Sequence, residues 1–89
     1  MDDNVVFIGK KGTMAYVMAV IMQMNNGNTE VTLKARGKAI SRAVDVAEVV
    51  KNKFADELKS HEIKIYTEEV KGRNNENLRI SAIEISLKK

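Results

Sequence analysis

Thr29-Glu30-Val31-Thr32-Leu33-Lys34-Ala35-Arg36-Gly37-Lys38-Ala39-Ile40 passes from one hydrophobic period to another. Val31, Leu33 and Ala35 alternate with Glu30, Thr32, Lys34 and Arg36, the two-residue period of a half-buried strand. Gly37 supplies a turn. From about Ala39 to Leu58 the apolar stripe Ile40, Ala43, Val44, Ala47, Val50, Phe54 and Leu58 returns at helical spacing, with Val46 and Val49 off it. Glu48 and Lys51 form a supportive pair three residues apart on that helix. A strand, a turn and a helix in immediate succession are the core of an α+β reading.

The same unit stands once before it. Val5 to Ile8 is a short apolar run ending at Gly9, a buried strand. Thr13 is placed to cap a helix, and Met14, Val17, Met18, Ile21 and Met22 carry helical spacing up to Asn25, Asn26 and Gly27. Tyr16, Val20 and Met24 lie on another side of the same helix. A helix apolar on two sides needs two covers: the sheet on one and, most simply, a second subunit on the other.

Two strands follow. Ile63, Ile65 and Thr67 alternate with Lys64, Tyr66 and Glu68. The polar run Lys71 to Asn77 is a hairpin tip. Leu78 and Ile80, then Ile83, Ile85 and Leu87, are the inward residues of the last strand, and the change of phase at Ser81–Ala82 predicts a β-bulge. The order is βαβαββ. Right-handed crossovers make the first three strands parallel, and the expected architecture is a two-layer sandwich with two helices on one face of a mixed four-stranded sheet.

Size and composition limit what such a chain does. Its 89 residues suit one small domain over residues 1–89, a size at which help from a partner subunit is unsurprising. It has no cysteine and one histidine, His61, which excludes disulfides, a thiolate nucleophile, and any Cys-type or multi-His metal site within one chain. No metal and no cofactor are expected, and no nucleophile–base arrangement can be drawn, so the expectation is not an enzyme. Asp45 and Glu48 alone do not make a nuclease metal site. A start with Asp2 and Asp3 is unlike a signal peptide, and the longest apolar run, Met14 to Met22, is about half a membrane span. An intracellular, cytoplasmic protein without membrane contact is expected.

The 15 Lys and Arg residues exceed the 12 Asp and Glu by three. That total decides little; the placement says more. Lys10 and Lys11 stand between a strand and a helix start, where free backbone N–H groups and the helix dipole favour an anion. Lys34, Arg36 and Lys38 lie two apart and project to one side of an extended segment, as a row following a phosphate backbone would. Lys71, Arg73 and Arg79 belong to the hairpin, diluted by Glu68, Glu69 and Glu76. Each cluster taken alone also fits an ordinary solvated surface. Adjacent first and second strands would bring the first two clusters to one end of the domain.

Together these residues resemble the Alba family of archaeal nucleic-acid-binding chromatin proteins. Val5-Val6-Phe7-Ile8-Gly9-Lys10-Lys11 is similar to its opening strand and basic loop, and Lys34-Ala35-Arg36-Gly37-Lys38-Ala39-Ile40 to its central signature. Arg42 to Glu48, Asn52-Lys53-Phe54 and Ser81-Ala82-Ile83-Glu84-Ile85 continue the match over nearly the whole chain. The resemblance implies a homodimer that binds double-stranded DNA, and RNA, with little sequence preference, in association with the chromosome. It implies phosphate contacts at Lys10, Lys11, Lys34, Arg36 and Lys38, and hairpin arms bearing Lys71, Arg73 and Arg79 along the minor grooves. Phe54 matches an aromatic that packs dimers side by side, and Lys10 a site of acetylation. Gly12 stands where the family commonly has proline, Lys38 where arginine is frequent, and Asn74-Asn75-Glu76 where Asp-Gly-Arg is usual. The βαβαββ layout also looks like the C-terminal domain of a bacterial translation initiation factor, which makes structured or ribosomal RNA the alternative partner.

Overall fold

The computed structural model describes residues 4–54 and 56–89. Asp2 and Asp3 lie outside the described residues, as does Ala55, which the sequence reading placed within the second helix. The elements are β1 (Val5–Phe7), α1 (Thr13–Asn25), β2 (Glu30–Arg36), a 3₁₀ turn (Gly37–Ala39), α2 (Ile40–Lys53), β3 (Ser60–Lys71) and β4 (Asn77–Lys88). They form one four-stranded sheet in the order β1-β2-β4-β3. β1 and β2 are parallel, with Val6 opposite Leu33, while β4 runs antiparallel to both β2 and β3. The first three strands therefore run the same way, as the crossover rule predicts, with β4 inserted between β2 and β3.

The core lies between the sheet and the two helices. Val31, Leu33 and Leu87 are fully buried, facing Val17 and Val20 of α1 and Ala43, Val46 and Val50 of α2. The sequence left open which apolar side of α1 meets the sheet, and in α2 the buried face departs from the expected stripe. In α1 the sheet is covered by Tyr16, Val17, Val20 and Met24, whereas Met14, Met18 and Met22 are 52%, 52% and 60% exposed. In α2 the buried set is Ala43, Val46, Ala47 and Val50, and Val44 is exposed. Spacing identified two apolar sides but not which one faced the sheet.

The start of α1 and the end of α2 also differ in detail. Gly12, not Thr13, is the N-cap of α1, and no side chain caps it. The C-terminus matches: the Asn26 N–H reaches back to Met22 and Gln23, and Gly27 takes a φ of +100° that glycine accepts freely. α2 ends at Lys53 rather than near Leu58, with Phe54 as its C-cap. Glu48 and Lys51 form no ion pair among the described residues.

The predicted bulge does not occur. β3 and β4 pair without interruption from Ser60↔Lys88 to Lys71↔Asn77, through Tyr66↔Ala82 and Thr67↔Ser81. The change of phase has another cause. β2 pairs with β4 only over Ala82–Lys88, so beyond Ala82 the hairpin leaves the body as a two-stranded arm. Within the body Ile83, Ile85 and Leu87 face the helices; in the arm Leu78 and Ile80 sit on the opposite side of a straight, regular strand. The arm makes the molecule long, 47 × 24 × 22 Å.

Candidate nucleic-acid interface

The parallel pairing of β1 and β2 puts their C-terminal ends side by side, and each is followed by a helix. Both helix N-termini therefore gather at one end of the body, and neither has an acidic residue in its first turn. The partial positive charge of the exposed amides there is left uncompensated by carboxylates. Between this end and the helix-free face of the sheet lies an open depression of about 800 Å³. Lys10, Lys34, Arg36, Lys38 and Arg42 line it, with Phe7, Tyr66 and one carboxylate, Glu68.

Each cation arrives by a different local route. Lys34 and Arg36 are alternate residues of β2, on the face opposite the buried Leu33 and Ala35. Lys38 does not continue their row. Gly37 adopts a left-handed φ of +59°, and the chain turns into the 3₁₀ segment before α2. Arg42 follows one helical turn later and was not singled out in the sequence. Its separation of four from Lys38 was the available signal, because residues so spaced share a helix side.

The β1–α1 loop is held from behind. Tyr16, buried in α1, accepts hydrogen bonds at its hydroxyl from the backbone N–H of Gly9 at 2.8 Å and of Lys11 at 3.0 Å. Arg42 donates to the carbonyl oxygen of Gly9. These contacts correct one expectation: the N–H groups of Gly9 and Lys11 are occupied by a side chain and are not available to an anion. The loop is instead braced to present Lys10 and Lys11, both exposed. Lys10 lines the depression; Lys11 does not.

Carboxylates trim the charge unevenly. Arg36 donates to Glu68 at 2.6 Å, and Lys34 lies 4.0 Å from Glu84. Lys10, Lys11, Lys38 and Arg42 have no carboxylate within ion-pair distance among the described residues. Tyr66 lies on the open face and donates to Glu84 at 3.0 Å. That hydrogen bond, with partial desolvation and the charges of Glu84 and Glu68, raises its pKa above the ordinary phenol value.

The remaining candidate residues lie elsewhere. Lys71 and Arg79 are on the arm and Arg73 is in its turn, closed by the Gly72 N–H on Glu76 and by Asn75 at a φ of +63°. Glu68, Glu69 and Glu76 share that arm. Phe54 is half-buried at the end of α2, with the Lys89 ammonium 5.3 Å from its ring centre. His61 is exposed in β3. Among the described residues no three His, Cys, Asp or Glu side chains gather as metal ligands, and no helix is long and apolar enough to cross a membrane.

A helix-backed sheet whose parallel strand ends and helix starts meet in a cationic depression, with a long hairpin projecting beside it, defines a distinct class of small α+β protein. The Alba family model matches residues 4–70, and the chain belongs to that family. It is 50% identical over 88 residues to the DNA/RNA-binding protein Alba of Methanocella arvoryzae, covering 99% of this chain and 92% of the relative. It is 51% identical over 89 residues to DNA/RNA-binding protein Alba 1 of Archaeoglobus fulgidus, covering 100% and 99%. Among solved structures, Alba from Thermoplasma volcanium superposes with a TM-score of 0.88 at 46% identity, covering 97% of this chain and all of that one. ALBA1 from Trypanosoma brucei superposes at 0.73 with 26% identity, covering 98% and 69%.

Proposed function

We propose that this protein binds double-stranded DNA, and RNA, through the phosphate backbone, as a homodimer associated with the chromosome in the cytoplasm. One observation carries the reading: five cationic side chains surround a single depression lined by one carboxylate, at the end where both helices start. Such a site attracts a polyanion without reading bases. Lys10, Lys34, Arg36, Lys38 and Arg42, with Lys11 beside them, serve as phosphate contacts; Lys71, Arg73 and Arg79 reach along the duplex from the arm. The names of the archaeal relatives, DNA/RNA-binding protein Alba, support the same partner class.

A second copy accounts for the apolar side chains left outside the core. Met14, Met18 and Met22 form a ridge along α1, and their exposure of half or more is costly unless covered. Phe54 serves contacts between neighbouring dimers on the duplex, and acetylation of Lys10 removes one charge from the binding surface. No catalytic step is part of this function.

A salt-titrated isotherm on several duplex sequences tests the core of the proposal. If a dimer neutralises roughly six phosphates, log affinity falls against log salt with a slope of about −5. Replacing Lys10 and Lys11 by alanine weakens binding to all sequences alike and makes the slope shallower. A flat salt dependence defeats the proposal. Because the relatives' names include RNA, structured RNA is the second reading; competition of duplex RNA against duplex DNA at one salt concentration separates the two.

A further inference from the structure

We propose that the cationic depression also accepts an unpaired nucleotide, whose base stacks on Phe7, so that the protein holds single-stranded RNA or DNA by a contact that stacked bases inside a duplex do not make. The inference rests on the phosphate-binding reading above and adds a substrate class to the same site. A single exposed apolar side chain is ordinary. Phe7 differs in its surroundings. It is 72% exposed, it lies on the helix-free face because Val6 takes the core side, and it lines the same depression as the cations. In the sheet it stands directly opposite Lys34, so an aromatic face and an ammonium are neighbours across one strand pair.

Tyr66 forms the far rim. It pairs with Ala82, which pairs in turn with Arg36, so the two aromatics flank the β2 cations from the outer strands. Three strand spacings of about 4.8 Å separate β1 from β3, room for a base rather than for one ion alone. The depression is within the size range of small-molecule sites, roughly 300–1,000 Å³. Lys10 and Lys38 line the same depression without a carboxylate partner among the described residues and can take the phosphate, while Arg42 beside them also braces Gly9. Bases inside a duplex are stacked on one another and offer a face only at an end or where the stack is opened at a cost; unpaired bases offer one throughout, and aromatic stacking is how sequence-tolerant single-strand binders hold them.

The test uses the intact protein with three fluorescein-labelled probes: oligouridylate, oligothymidylate and a blunt DNA duplex. Phe7→Leu keeps apolar bulk and removes the ring. The side chain is largely outside the core, so the fold is expected to survive, and circular dichroism checks this. The expected result is a loss of about five- to a hundredfold in single-strand affinity, with duplex affinity and its salt slope unchanged. The two single-strand probes show which sugar is preferred. The chain contains no tryptophan, so Phe7→Trp supplies a unique reporter; its fluorescence is expected to be quenched by either single strand and not by the duplex.

Equal losses on all three probes, no loss on any, or a Phe7→Leu shift to a smaller species in sedimentation would overturn the stacking site. A parent that binds duplex with a steep salt slope but does not bind single strands overturns this inference and leaves the phosphate reading intact. A parent that binds none of the probes at low salt overturns both.

Discussion

The body and the arm of this molecule carry similar residues to different effect. In the body, cations from four separate segments converge because β1 and β2 are parallel neighbours and each leads into a helix. In the arm, Lys71, Arg73 and Arg79 share one hairpin with Glu68, Glu69 and Glu76, with no helix behind it. The body concentrates charge by topology; the arm spreads balanced charge along a lever. The same contrast holds for packing. Leu33 is fully buried between sheet and helices, whereas Leu78 is 42% exposed on the arm. Convergence of charge and burial of apolar surface thus have one cause, the helix layer.

Stability measures this contrast with the largest expected effect. Leu33→Ala removes a side chain with no exposure and is expected to cost about 2–5 kcal/mol. Leu78→Ala, partly solvated already, is expected to cost under about 1 kcal/mol. Urea unfolding of both variants checks the pair. Similar costs would mean that the arm is packed against something as firmly as the body, and a second copy would be the first candidate.

Charge reversal probes the functional half of the comparison. Lys38→Glu places a carboxylate at the mouth of the depression and is expected to lower duplex affinity about tenfold or more near physiological salt, with a shallower salt slope. Arg73→Glu, in a turn already next to Glu76, is expected to lower it by no more than about threefold, one weak screened contact. The opposite change, Glu68→Gln, frees Arg36 from its 2.6 Å partner and is expected to raise affinity a few-fold at little cost in stability. Parallel binding isotherms decide. A larger effect at Arg73 than at Lys38 would move the main contact surface to the arm.

These regions were not equally legible in the sequence. β2 was plain because one face is buried and its neighbours fix the alternation: Val31, Leu33 and Ala35 are all buried as expected. In the arm the change of phase predicts a bulge, whereas what changes is the cover, not the register. The two-sided hydrophobicity of α1 was visible, but which side met the sheet depended on tertiary packing, and Tyr16, Val20 and Met24 won that position. Charge and spacing single out Lys10, Lys34, Arg36 and Lys38, which line one depression. Spacing shows Tyr16 only as one more apolar residue, and its hydroxyl role depends on a loop fold that spacing does not specify.

That hydroxyl gives a smaller and more selective prediction. Tyr16→Phe keeps the buried ring and leaves the N–H groups of Gly9 and Lys11 without their acceptor. The loss is expected to be about 1–2 kcal/mol of stability, since part of the loop can turn to water. Duplex affinity is expected to fall a few-fold through a looser Lys10–Lys11 loop, while the salt slope stays at the parental value because no charge is removed. The Lys10 and Lys11 double alanine variant, by contrast, changes the slope. If Tyr16→Phe changes the slope as well, the loop lysines have left the interface rather than lost their bracing.

The smallest effect concerns the carboxylates that trim the open face of the body. Tyr66 donates to Glu84, which raises its pKa, so the neutral phenol is favoured more in the folded chain than in the unfolded one. Its contribution is therefore fully present below the unfolded phenol value of about 10. It is lost as pH rises through the higher folded value, where a phenolate would face Glu84 and Glu68. Tyr66→Phe has no such proton to lose. Thermal midpoints followed upward from about pH 9 should fall more steeply for the parent than for Tyr66→Phe, and Glu84→Gln should move the Tyr66 absorbance transition to lower pH. Coincident midpoint curves would mean that Tyr66 and Glu84 do not meet in solution. Glu84 would then be free to lie closer to Lys34, and the body's charge would be trimmed more than the arm comparison allows.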